Sequence, residues 1–242
     1  DRSADGGTVA TYLGDIAFDS DLRLTDIQRV EVLIGPQGTL YGTGSLGGAI
    51  RYILNEPALD ETTVNLAFDT FALAESDDLG TEAGVVFNLP LIEDELAVRF
   101  NLNHFSGPGF IDYTQVLKEP GVSSADPDWQ NESDVNANLK TVKDANTEET
   151  FTARTAIKWV TSDNVEAMLN YIYQNKKVGG NSIDQFNTLS ADNPLSSIIK
   201  PYQNSMRYEE PGEQTDELLS LELTVDLGSV NLVSATGYSK FE

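Results

Sequence analysis

Residues 150–174 read TFTARTAIKWVTSDNVEAMLNYIYQ. Their period decides the fold. Phe151, Ala153, Thr155, Ile157 and Trp159 share one parity; Thr152, Arg154, Ala156 and Lys158 share the other. After Ser162-Asp163-Asn164 the pattern resumes, with Val165, Ala167, Leu169, Tyr171 and Tyr173 opposite Glu166, Met168, Asn170, Ile172 and Gln174. An apolar side chain at every second position makes a strand with one apolar and one polar face, so the stretch reads as a hairpin.

The same texture runs outward from this hairpin. Upstream, Ala83, Val85, Phe87, Leu89 and Leu91 alternate with polar or small residues, as do Leu96, Val98, Phe100 and Leu102. Downstream, Leu219, Leu221, Leu223, Val225 and Leu227 oppose Ser220, Glu222, Thr224 and Asp226. Seven strands are expected, at about 62–72, 81–91, 95–112, 150–161, 165–178, 216–227 and 230–241. Tight links fall at 92–94, 162–164 and 228–229. Structureless long links are expected at 113–149 and 179–215, with a shorter one at 73–80. Short turns on one side and long loops on the other suit a membrane-spanning barrel. Several strands reach ten residues, enough to cross a bilayer at a tilt. A soluble antiparallel sandwich also alternates and stays open as the alternative.

Composition narrows the function. Fifteen Lys and Arg against 39 Asp and Glu give a formal charge of −24 over 242 residues, the wrong sign for a nucleic-acid partner. No run of 18 apolar residues offers a transmembrane helix. Residues 1–20 carry no charged start followed by an apolar core, so they do not read as a signal peptide. With no Cys and one His, thiol chemistry and multi-His metal sites are excluded. No Gly-x-Ser-x-Gly elbow occurs, and nothing selects a carboxylate pair for hydrolysis. The chain reads as no enzyme, with no cofactor and no metal.

Residues 1–57 differ in texture: glycines interrupt short β-branched pieces. GTGSLG at 42–47 formally fits the dinucleotide pattern. The following residues are β-prone and stop at Pro57, so no helix N-terminus is available for a pyrophosphate. A longer match is more specific. Residues 26–53, DIQRVEVLIGPQGTLYGTGSLGGAIRYI, resemble the C-terminal half of the plug domain of TonB-dependent outer-membrane receptors, whose pattern is similar to RVEVLRGPQGTLYG followed by GGAI and a strand. The matching positions include Arg29, Glu31, Gly35, Pro36, Gly38, Tyr41, Gly42, Gly47 and Gly48. Asp15-Ile16-Ala17 fits a small strand and turn upstream.

The resemblance implies an all-β chain: a partial transmembrane antiparallel β-barrel of about seven strands, preceded by part of a mixed plug domain. Residues 1–57 would belong to the plug and 58–242 to the N-terminal part of a 22-stranded barrel with a plugged lumen. It implies active uptake of a scarce solute at the outer membrane of a Gram-negative bacterium. A ferric siderophore leads; cobalamin, a carbohydrate or another organic solute follow. Energy would come from the TonB–ExbB–ExbD complex through an N-terminal box missing from these residues. Outer-membrane lipid and lipopolysaccharide would be the other partners. A soluble β-rich adhesion or carbohydrate-binding module is the alternative. Ile34 stands where the family has an Arg that joins a charge cluster tying plug to wall, leaving Arg29 and Glu31 as retained charges for that cluster. Seven strands cannot close such a cylinder, so the chain is expected to be a fragment.

The remaining residues carry weaker signals. His104 has no neighbouring ligands in sequence and reads as an interfacial strand residue. The run Asp126–Asp134 lacks the glycine and final acid of a calcium loop and reads as a solvated loop. Residues 113–149 hold eight acids against three lysines, and 179–215 hold five acids against Lys200 and Arg207. Acidic loops favour a neutral or cationic solute, or divalent bridges to lipopolysaccharide. Trp159 at one strand end, with Phe151, Tyr171, Tyr173 and Tyr238 toward the other, would suit two aromatic girdles. Trp129 and Tyr202 are candidate ligand contacts in the long loops.

Overall fold

The computed structural model describes residues 9–18, 20–36, 38, 47–162, 164–185 and 198–242. The described elements run β1 (Val9–Leu13), β2 (Ile16–Ala17), β3 (Ile27–Ile34), β4 (Gly48–Leu54), β5 (Thr63–Ala72), β6 (Leu79–Ile92), β7 (Leu96–Gly107) and β8 (Asp112–Leu117). They continue with α1 (Glu132–Asn138), β9 (Leu139–Val142), β10 (Glu148–Ser162), β11 (Val165–Val178), β12 (Gln203–Asn204), β13 (Gly212–Asp226) and β14 (Asn231–Phe241).

All seven expected strands are present in one sheet, ordered β14-β13-β11-β10-β7-β6-β5, with every neighbour antiparallel. Each wall strand pairs with the wall strand next along the chain, with β8, α1 and β9 inserted between β7 and β10 and β12 between β11 and β13. The turn between β6 and β7 places Asp94 at φ +61°, and that between β13 and β14 places Gly228 at φ +83°. Because the side-chain period is two, the register lines up whole rows on each face. One inward row reads Ala67–Gly84–Asn103–Thr152–Gln174–Asp216 across six strands. The next reads Asn65–Val86–Asn101–Arg154–Ile172–Leu218.

The two faces are inverted relative to a soluble sheet. Asn88, Asn101, Asn103, Thr152, Arg154, Gln174 and Asp216 are buried on the inward face. Leu66, Phe68, Phe100, Leu102, Trp159, Leu221 and Tyr238 are exposed on the outward one. A sandwich would cover its apolar face with a second sheet. Here the covered face is the polar one, and what covers it is a small mixed sheet ordered β2-β1-β4-β3, in which β1 and β4 run parallel. Leu13 and Ile16 from that sheet meet Ile172 and Leu218 from the wall in a shared core, with Phe18, Leu24, Tyr52 and Leu54 packed around them. Gly237 on β14 is part of this fit: a Cβ there would lie 2.5 Å from Ile16 Cγ2.

Two expectations need correction. The third strand ends at Gly107, not 112; β8 starts afresh at Asp112 and leaves the wall. Close packing fixes the break, since a Cβ on Gly109 would lie 1.9 Å from the Asp144 carbonyl oxygen. The long links are not structureless either. They cooperate in a three-stranded sheet, β12-β8-β9, over a core of Ile111, Tyr113, Val116 and Ala145. Helix α1 sits between β8 and β9, capped by Asn131, whose side-chain oxygen accepts from the Ser133 and Asp134 amides.

Candidate functional site at the interface of the small sheet and the wall

The wall strands point their cations inward, and the small sheet meets them with a carboxylate. Asp26 precedes β3 at φ +60°. Its Oδ1 accepts from Arg99 Nη2 at 2.6 Å and its Oδ2 from Arg99 Nε at 2.7 Å, a two-pronged pair. Arg154 Nη1 approaches Oδ2 at 3.3 Å and also donates to the Asn55 carbonyl at 2.9 Å. Asn55 closes the node by donating to Asp26 Oδ1 at 2.8 Å. The three charged side chains are 4%, 12% and 5% exposed for Asp26, Arg99 and Arg154. In so dry a setting one carboxylate holds two strands of the wall and both ends of the β3–β4 hairpin.

The segment before Asp26 lies along the same wall. Thr25 Oγ1 accepts from Asn101 Nδ2 at 2.7 Å. Gln174 mimics a strand partner: its Oε1 accepts from the Arg23 amide, and its Nε2 donates to the Asp21 carbonyl. The Arg23 guanidinium pairs with Glu82 at 2.6 Å and lies 3.6 Å above the Phe105 ring. At the margins Lys176 pairs with Asp21 and Lys158 with Glu56. Residues 21–26 and 54–58 are thus held by side chains from β6, β7, β10 and β11.

The residues singled out in the sequence fall elsewhere. Arg29 Nε donates to Glu31 at 2.8 Å, and Arg51 Nη1 donates to the same carboxylate at 2.9 Å; all three belong to the small sheet. Ile34, in the position of the family's Arg, is 89% exposed. Among the described residues, Arg29 and Glu31 bond within the small sheet, and the contacts to the wall come from other residues. Two arginines bonded to one carboxylate, Arg29 foremost, hold the Glu31 carboxyl below its usual value of 4.5. A depressed carboxyl stabilises the fold above its unfolded pKa, and that stabilisation is lost as pH falls through the folded value. Glu31→Gln is therefore expected to flatten the acid limb of unfolding below about pH 4.5, read by circular dichroism against pH; an unchanged acid midpoint would refute this role.

The glycines behave as the pattern implies. Gly35 adopts φ +91°, and its amide donates to the Gly47 carbonyl at 3.1 Å. Gly48 adopts φ +150°, and a Cβ there would lie 2.3 Å from the Leu33 carbonyl oxygen. Gly48→Ala is expected to destabilise the small sheet by about 1–3 kcal/mol, seen as faster proteolysis within residues 26–55. Pro36 and Gly38 sit exposed beyond the β3 end. Tyr41 and Gly42, with most of the dinucleotide-like pattern, lie outside the described residues.

Trp129 and Tyr202 are not brought together. The Asp112 amide donates to the Tyr202 carbonyl at one end of β8, and the Leu117 amide donates to the Arg207 carbonyl at the other. Trp129 belongs to the second end, donating to Asp126 at 2.6 Å with Arg207 5.6 Å above its ring. Arg207 also donates to the Ala125 and Ser205 carbonyls, tying the two long links together. His104 approaches Glu149 Oε1 at 3.1 Å on the outward face. No group of three or more metal-ligating side chains occurs among the described residues.

Known proteins place this architecture. No family model matches the chain. A stretch of 34 residues, 14% of the chain, is 56% identical to the pesticin receptor of Yersinia pestis and to that of Yersinia enterocolitica, of which it spans 5%. Among solved structures, the siderophore receptor PirA from Acinetobacter baumannii aligns over 97% of the chain with a TM-score of 0.62 at 18% identity. The ferric yersiniabactin uptake receptor FyuA from Yersinia pestis aligns over 97% with a TM-score of 0.64 at 16% identity. The ferric enterobactin receptor PfeA from Pseudomonas aeruginosa gives 97%, 0.64 and 15%. The chain spans 32–33% of the length of these three. These neighbours are transport receptors, not enzymes. The chain shares its fold with about a third of each of these receptors: a small mixed sheet seated against the inward, polar face of a seven-stranded wall.

Proposed function

We propose that this chain forms the end of the plug, residues 1–57, and the first wall strands, residues 58–242, of a 22-stranded TonB-dependent receptor in the outer membrane of a Gram-negative bacterium. The receptor takes up a scarce solute, with a ferric siderophore as the leading class. One observation carries the reading. The wall turns its apolar face outward and its polar face inward, and the plug is tied to that polar face through Asp26, Arg99 and Arg154. An apolar exterior suits lipid, and a polar interior bridged by ion pairs suits a plug that must sometimes move. The similarity to siderophore receptors supports the solute class. Lipid and lipopolysaccharide are the surrounding partners, and the TonB–ExbB–ExbD complex drives transport.

The test is uptake of radioactive iron, supplied as a panel of ferric siderophores, by iron-limited source cells. Cells lacking the gene should lose uptake of at least one chelate, complementation should restore it, and a proton uncoupler should abolish it. Unchanged uptake of every chelate, with the protein recovered in the soluble fraction, would sink the reading.

A further inference from the structure

The segment that leads into the Asp26 node crosses the inward face of the wall without a ladder. Residues 21–25 belong to no strand, and among the described residues no backbone–backbone hydrogen bond fastens them. Side chains hold them instead. Gln174, fully buried on β11, stands in for a peptide group: its Nε2 donates to the Asp21 carbonyl at 2.9 Å, and its Oε1 accepts from the Arg23 amide at 2.7 Å. Thr152 and Asp216 are buried beside it, and both bond the same side-chain amide. Leu24 adds an apolar contact with the shared core.

The fastening weakens along the segment. The Asp26 node is dry, whereas the side chains of the Arg23–Glu82 pair are 34% and 25% exposed, and the Asp21 carboxylate, paired with Lys176, is 81% exposed. Ion pairs open to water contribute little, while a buried pair is costly to break. The segment is therefore firm at Asp26 and loose at Asp21. A cavity of about 260 Å³ lies at the loose end, between Asp21 and Arg23 on one side and Thr150, Gln174 and Lys176 on the other. Before that end the chain is seated again, with Ile16 against Gly237 and Phe18 on the shared core. The slack lies between two fixed points.

We propose that residues 21–25 are a strap that lifts from the wall while the small sheet stays docked, with Gln174 as its latch. Lifting exchanges the two Gln174 contacts and the Arg23–Glu82 pair for water. The Asp26 node and the seat of Ile16 stay in place. The motion bares Thr152, Gln174 and Asp216, a row of donors and acceptors on the inward face. The strap is a property of the fold. Only its use as a first opening step for a solute rests on the uptake reading, and its test needs no solute.

The chain has no Cys, so a single thiol can report on each place. Thr152→Cys puts one beside the latch. Ser220→Cys puts another, at a similarly buried position, beneath the Gly14–Asp15 turn. Each variant of the full-length protein, in outer-membrane vesicles, is reacted with methyl methanethiosulfonate, and its rate is divided by that of the same variant unfolded in urea. Thr152→Cys is expected to react about tenfold faster than Ser220→Cys, because opening the strap is cheaper than undocking the sheet. Adding Arg23→Gln removes the Glu82 pair and the contact with the Phe105 ring. It should speed Thr152→Cys about tenfold further and leave Ser220→Cys within about twofold. Gln174→Leu should act likewise; Arg23→Gln, which lies outside the wall, separates a lifted strap from a misfolded wall. Asp26→Ala should speed both thiols, because it frees the whole sheet. Equal rates for the two thiols, or an Arg23→Gln effect that is absent or shared by both, overturn the strap. Failure of the uptake test would leave these rates unaffected, so the two readings fail separately.

Discussion

Asp26→Ala is expected to release the small sheet from the wall. Removing one carboxylate strands Arg99 and Arg154 as neighbouring like charges, 12% and 5% exposed. Breaking a buried ion pair by deleting one partner costs about 3–5 kcal/mol, because the remaining charge has neither water nor counterion. Here two charges are left, and Asn55 loses its carboxylate acceptor as well, keeping only the backbone carbonyl of residue 26 at 3.2 Å. The expected result is a lower urea midpoint for the small sheet and faster hydrogen exchange over residues 26–55, with the wall strands far less affected. Asp26→Asn should fall between wild type and Ala, since it keeps an oxygen for Asn55 but not the charge. Arg154→Leu should do less harm than Asp26→Ala, because Arg99 still holds both carboxylate oxygens. If Asp26→Ala left exchange over 26–55 unchanged, the node would not be what fastens the small sheet.

The node also marks where sequence reading runs out. Each wall strand declares its faces locally: the alternation of Phe151 to Trp159 against Thr152 to Lys158 needs no distant information. The seven strands, their order and their apolar side were therefore legible; the mixed character of the small sheet came only through the family resemblance of residues 26–53. The partner of Asp26 was not. Its two arginines lie 73 and 128 residues away, and only the assembled register brings them to one point. A signal did exist, since Arg99 is the single charge on the inward face of its strand and Arg154 lies between Thr152 and Ala156 on its own, and such a cation implies a counterion. Arg29 and Glu31 drew attention because they are adjacent in the motif, and adjacency is what lets them pair with each other instead. The outer sheet was hidden for a different reason. Its strands are as short as two residues, and β8 pairs with β12 in parallel across about 90 positions of chain, so neither period nor turn chemistry announces it.

Leu221→Arg separates a lipid-facing wall from a sheet in water. Leu221 is 47% exposed, on β13, in the outward row with Leu169 and Ile157. That row lies between Trp159 at one margin and Tyr171 and Tyr238 toward the other, near the middle of the apolar band. An arginine at the bilayer midplane of a barrel costs about 2–4 kcal/mol, falling to about 0–1 near the interfaces. In water the same exchange, on a half-exposed leucine, would be near neutral. If hydrocarbon covers this face, the full-length protein with Leu221→Arg should therefore give a lower yield of the heat-modifiable, membrane-embedded form and a lower unfolding midpoint in lipid vesicles. Leu232→Arg, near the short-turn margin of the same face, should be much milder, because its guanidinium can reach the headgroups. Equal, negligible effects at both positions would mean that no hydrocarbon covers this face. The position dependence is the informative part, since a general loss of β-sheet packing would penalise both sites alike, whereas a bilayer penalises depth.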